Sequence, residues 1–112
     1  MAVIRLKDAS VRLPVITGHA LILWTYILNV WEEHAPGIDP VLTSGNDATH
    51  RLKSKHYDDA GWDWRTHNLP RATVDLIVRD LKRVLGTDYD IVLEKDHLHA
   101  EHDPKLEGGV RA

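Results

Sequence analysis

The chain has 112 residues, 43% hydrophobic and 28% charged, with a formal net charge of -3. That length suits a single domain over 1–112 and is too short for two independent cores. The charge balance lacks the broad basic field that argues for nucleic acid. Cysteine is absent, which excludes disulfides, thiolate metal sites and cysteine nucleophiles. Eight histidines leave imidazole chemistry open.

The opening "MAVIRLKDASVRLP" has no signal-peptide pattern. The strongest apolar run, "ALILWTYILNVW", is too short to span a bilayer and contains Thr25 and Asn29. The expectation is a soluble protein made in the cytoplasm. Apolar residues dominate Gly18 to His34, with Thr25, Asn29 and Glu32 as a narrow polar stripe at helical spacing. This predicts a mostly buried helix, ended by Pro36 and Gly37.

"VLTS", Val41 to Ser44, predicts a short strand, and "GNDATHRLKSKHYDD" a polar loop. "AGWDWR" alternates: Ala60, Trp62 and Trp64 face one way, Gly61, Asp63 and Arg65 the other. The tryptophans are read as core.

A second helix begins near Pro70, which suits a first turn. Val74, Ile77, Val78, Leu81, Val84 and Leu85 supply its apolar stripe, and Gly86 its stop. Asp75 and Arg79 are placed to pair on its outer face, worth roughly 0.2–0.5 kcal/mol. "YDIVLE" and "HLHAE" read as two strands joined by "KD" as a hairpin. The tail, 105–112, is expected to fray. The predicted fold class is α+β, a small antiparallel sheet backed by helices.

Zinc catalysis needs three protein ligands and an open position for water. His56, Asp63 and His99 are candidates drawn from three segments. A single surface histidine is usually only solvated, and a His and Asp seven positions apart recur by chance. His97 and His99 share one strand face, which strengthens the pattern. A histidine-rich domain without metal is the plain alternative.

Together these residues resemble a known family. "SKHYDDAGWD" resembles the S-x-H-x-x-G-x-A-x-D signature of zinc D-Ala-D-Ala carboxypeptidases and the L-alanyl-D-glutamate peptidases of phage endolysins. "DHLHAEHDP" is similar to the family's second motif, and "TSG" precedes the first. The resemblance covers about Val41 to Pro104. It implies a hedgehog/DD-peptidase-like fold, Zn2+ on His56, Asp63 and His99, and Asp96 as general base, with His97 as the second candidate. It also implies that Ser54 supports the site.

Glu101 shares the His99 face and is a candidate for orienting that ligand. In a regular strand Asp96 and His99 point to opposite faces, so Asp96 must lie at a strand mouth or bend. Two departures stand out. Asp59 occupies the motif's glycine position, and Asp47 stands near the place where many relatives carry arginine. His50, ahead of Arg51, is the favoured substitute for anchoring substrate. The implied function is a zinc metallopeptidase cutting an L-Ala–D-Glu or D-Ala-D-Ala bond of peptidoglycan at the bacterial cell wall, with a phage origin. The alternative is a non-catalytic zinc-binding module of a phage particle.

Overall fold

The computed structural model describes residues 2–11, 18–45 and 61–102. His50, Arg51, Ser54, His56 and Asp59, and the tail expected to fray, lie outside the described residues. The described elements are β1 (Arg5–Leu6), α1 (Gly18–His34), β2 (Val41–Ser44), β3 (Gly61–Arg65), α2 (Arg71–Leu85), β4 (Tyr89–Leu93) and β5 (His97–His102). A short 3-10 turn over Gly86–Asp88 joins α2 to β4. The strands form one sheet in the order β1-β2-β3-β5-β4. The fold class is α+β, as predicted.

The sheet is mixed rather than wholly antiparallel. β1 runs parallel to β2, pairing Arg5 with Val41 and Leu6 with Leu42. The other pairs are antiparallel. Two residues carry too little alternation to announce a strand, and β1 exists because β2 offers its backbone as an edge: Arg5 N–H donates to Pro40 O at 3.0 Å and Lys7 N–H to Leu42 O at 2.9 Å.

Period-2 alternation gives the sheet two unlike faces. On one face Leu42, Trp62, Trp64, Ile91, Leu98 and Ala100 are buried. In register, Trp62 opposes Ala100 and Trp64 opposes Leu98, so each indole lies across from a smaller side chain. Trp24 of α1 meets Trp62 edge-on, with centroids 5.2 Å apart, and Trp64 at 6.1 Å. Edge-to-face pairs add about 0.5–1.5 kcal/mol beyond area burial. Ala20, Leu23, Ile27, Val30 and Trp31 of α1 and Val74, Ile77, Leu81 and Leu85 of α2 complete this core.

α1 is less enclosed than its composition suggests. Leu21 and Ile22 are 55% and 47% exposed, beside the expected polar stripe. A helix lying on one layer has a covered side and an open side, whatever its hydropathy. α2 begins one residue later than the proline: Pro70 takes the N-cap position, and Gly86 at the C-cap adopts φ 74°, a backbone state that favours glycine. The expected Asp75–Arg79 pair does not form. Asp75 accepts from Arg71 Nε at 2.8 Å, while Arg79 turns to Asp80. No helix among the described residues is long and apolar enough to cross a membrane.

Candidate functional site

The second sheet face is polar, and its chemistry follows from register. β3 and β5 set Gly61 opposite Glu101, Asp63 opposite His99 and Arg65 opposite His97. β4 adds Asp90 opposite Glu101 and Val92 opposite His99. Directly opposed residues have Cβ atoms about 4.5–5.5 Å apart, so these side chains meet without any loop bringing them together.

Asp63 Oδ1 and His99 Nδ1 are 2.6 Å apart. The other ring nitrogen, Nε2, lies 3.0 Å from Glu101 Oε1. Both nitrogens of His99 therefore face carboxylates, and a doubly protonated ring donates to both. The second Asp63 oxygen, Oδ2, stands 3.9 Å from His97 Nε2. His97 Nδ1 in turn lies 2.9 Å from Asp96 Oδ1. The result is one line of partners along the face: Asp96, His97, Asp63, His99, Glu101. Thr43 on β2 steadies it from the flank, its hydroxyl donating to the Asp63 carbonyl at 3.3 Å.

Asp96 sits in the bend ahead of β5, which frees it from the alternation that would have pointed it at the core. Its carbonyl accepts from Thr66 N–H at 3.3 Å. The hydrogen bond to His97 is the largest cause holding its carboxyl below the ordinary 3.8, with His67 adding charge attraction. It is therefore a firm carboxylate at neutral pH.

These residues fit a metal in kind. Asp63 and His99 offer an oxygen and a nitrogen on one side, and Glu101 holds the far nitrogen of His99, the arrangement by which a carboxylate fixes a ligating imidazole. Two ligand atoms on one tetrahedral zinc sit about 3.3 Å apart, so the 2.6 Å pair must open slightly to admit it. The third expected ligand, His56, lies outside the described residues.

No family model, curated protein or solved structure matches the chain. The site therefore rests on its own geometry.

A second histidine–carboxylate group lies between the helices. Glu33, His34 and Asp80 bring three ligand atoms within 4.8 Å of one another, close enough to hold a metal ion. Sequence reasoning missed it. Its signal was a charged residue inside an apolar stripe: Asp80 lies three positions after Ile77 and four before Val84. His34 Nε2 approaches Asp80 Oδ2 at 2.6 Å, and Arg79 and Arg83 reach the other oxygen at 3.1 and 3.4 Å. The His34 contact leads in holding the Asp80 carboxyl at about 2, against an ordinary 3.8. Two guanidiniums already neutralise this carboxylate, so the group reads best as a clamp between α1 and α2.

Proposed function

We propose that the polar sheet face is the site of a zinc-dependent peptidase on a hedgehog/DD-peptidase-like fold, hydrolysing an L-Ala–D-Glu or D-Ala-D-Ala bond in a peptidoglycan stem peptide. The observation that carries this reading is His99 held between Asp63 and Glu101, with His97 alongside. His56, Asp63 and His99 would hold the metal. When bound, zinc supplies Lewis acidity toward the scissile carbonyl and the attacking water.

The chain's own groups do the rest. Glu101 keeps the proton of His99 on Nε2, leaving Nδ1 as the ligand atom. His97 Nε2 lies near Asp63 and takes the water's proton, then returns it to the leaving amine. Asp96 holds His97 through Nδ1, fixing the tautomer that leaves Nε2 free to accept. This ordering makes His97 the proton carrier and Asp96 its positioning partner, the reverse of the ranking drawn from the motif. The place of action is the bacterial cell wall, reached as a lysin or as part of a phage particle. Zinc-replete protein incubated with defined muropeptides, read by mass spectrometry, tests the reading: release of a stem-peptide fragment supports it, and intact muropeptides with metal-free protein refute it.

A further inference from the structure

The outer side of α1 is apolar where a lone surface helix would be polar. Leu21 and Ile22 are 55% and 47% exposed. With Thr25, Leu28, Asn29 and Glu32 they recur at the i, i+3, i+4, i+7 spacing of a helix–helix seam. Thr25 is less polar than its type suggests, because its hydroxyl donates to Leu21 O at 2.8 Å, which satisfies the donor within the helix. Further along, Ala2 comes alongside α1 and leaves a groove of about 410 Å3 lined by Ala2, Leu28, Asn29 and Glu32. The charges are uneven too. No lysine or arginine lies between Gly18 and His34, which disfavours an anionic lipid surface or an acidic partner. The first turn carries no acid, while Glu32 and Glu33 stand at the C-terminal end, the wrong end for their own helix dipole.

We propose that this face docks a second copy of the chain, with the two α1 helices antiparallel about a two-fold axis at Thr25. Positions equally far on either side of Thr25 then meet. Ile22 enters the groove beside Leu28 of the second copy, and Leu28 receives Ile22 in return, as a self-complementary interface requires. Glu32 meets the Gly18–His19 end of the second copy, where an acid suits the helix dipole and none is present in the first turn. A parallel pair would set Glu32 against Glu32 and each groove against a groove. The 17-residue α1 spans about 25 Å, so the seam covers less than the roughly 800 Å2 per partner of a stable complex, and the dimer is a micromolar one. Because α1 packs on the core side of the sheet, the pairing leaves both polar faces open and facing outward. Under the peptidase reading, on which this consequence alone rests, the dimer holds two sites against one polymeric wall.

The test is sedimentation velocity of the full chain from about 1 µM to 1 mM. The weight-average mass rises from one chain toward two across that range. Ile22→Lys and Leu28→Glu each raise the dissociation constant at least about tenfold, by placing an unpaired charge in the seam. The double variant Ile22→Lys/Leu28→Glu recovers association, since each introduced lysine meets an introduced glutamate of the second copy. Circular dichroism checks that each variant is folded; Ile22 is exposed and Leu28 half-buried, so Ile22→Lys keeps the test alive if Leu28→Glu does not fold. A native chain that stays monomeric throughout overturns the proposal, including one that sediments with phosphatidylcholine vesicles instead. Association that Ile22→Lys leaves unchanged overturns it too, as do single variants that dissociate with no recovery in the double. Failure of the peptidase reading looks different: dimer intact, but muropeptides uncut by the zinc-loaded protein.

Discussion

Asp63 and His99 oppose each other across β3 and β5, with carboxylate oxygen and ring nitrogen 2.6 Å apart and Glu101 on the far side of the ring. The backbone ladder sets Asp63 opposite His99 and Gly61 opposite Glu101, which brings the triplet together on one face. Replacing Asp63 or His99 by Ala should abolish stoichiometric zinc binding. Glu101→Gln should leave binding measurable but weaken it by about 10- to 100-fold, the usual cost of losing the group that orients a ligand histidine. Competition with a fluorescent zinc chelator reads both effects, and equal affinity of Glu101→Gln and the native chain would remove Glu101 from the site.

His97 and Asp96 separate by kinetics. With His97 carrying the proton, His97→Ala should lower kcat by about 10²- to 10⁴-fold while zinc remains bound. Asp96→Asn should cost less, because it removes the orienting carboxylate and keeps the imidazole. A larger loss in Asp96→Asn than in His97→Ala would restore Asp96 as the base. Because Asp96 is held below the ordinary 3.8 chiefly by its bond to His97, its protonation should leave activity untouched from neutral pH down to about that value.

The interhelical clamp predicts an acid dependence of stability. The folded Asp80 carboxyl titrates near 2 rather than at 3.8, so the folded state binds its proton less readily than the unfolded chain. Its contribution is complete above 3.8 and is lost as pH falls through that value toward 2. Asp80→Asn should therefore melt several degrees below the native chain near neutral pH, with the gap closing in acid. Thermal unfolding followed across this range checks it, and a gap that stays constant in acid would contradict the assignment.

The tryptophan cluster predicts the largest stability effects. Trp62 is 1% exposed and packed edge-on against Trp24, so Trp62→Ala should cost about 3–5 kcal/mol by urea unfolding. Trp64→Phe should cost much less. The Trp64 indole N–H is buried without a hydrogen-bond partner, so removing it discards an unmet donor together with some packing.

Local patterns made most of the fold legible. α1 has the bounds that its composition predicts, Gly18–His34, and Gly86 ends α2 where expected. Alternation in "AGWDWR" separated Trp62 and Trp64, which are buried, from Asp63, and "HLHAE" put His97, His99 and Glu101 on one face; the burial of Leu98 and Ala100 on the other follows from the same period. What escaped the sequence is non-local. β1 is a strand only because β2 lies beside it. Arg71 rather than Arg79 captures Asp75 because Asp80 draws Arg79 away. The high histidine content also divides by place. His97 and His99 line the polar face, His34 clamps α1 to α2, and His19 stacks on His102 with centroids 3.7 Å apart. Spacing alone could not separate these roles, since each depends on which element crosses which.

The central claim is that the Asp63–His99–Glu101 face is a zinc peptidase site. The most direct measurement is mass spectrometry of defined muropeptides after incubation with the zinc-loaded full chain, alongside its metal content. The account predicts one bound zinc per chain and release of a stem-peptide fragment, both lost in Asp63→Ala. One bound zinc with uncut muropeptides would leave a non-catalytic zinc module, and no bound zinc with uncut muropeptides would contradict the account altogether.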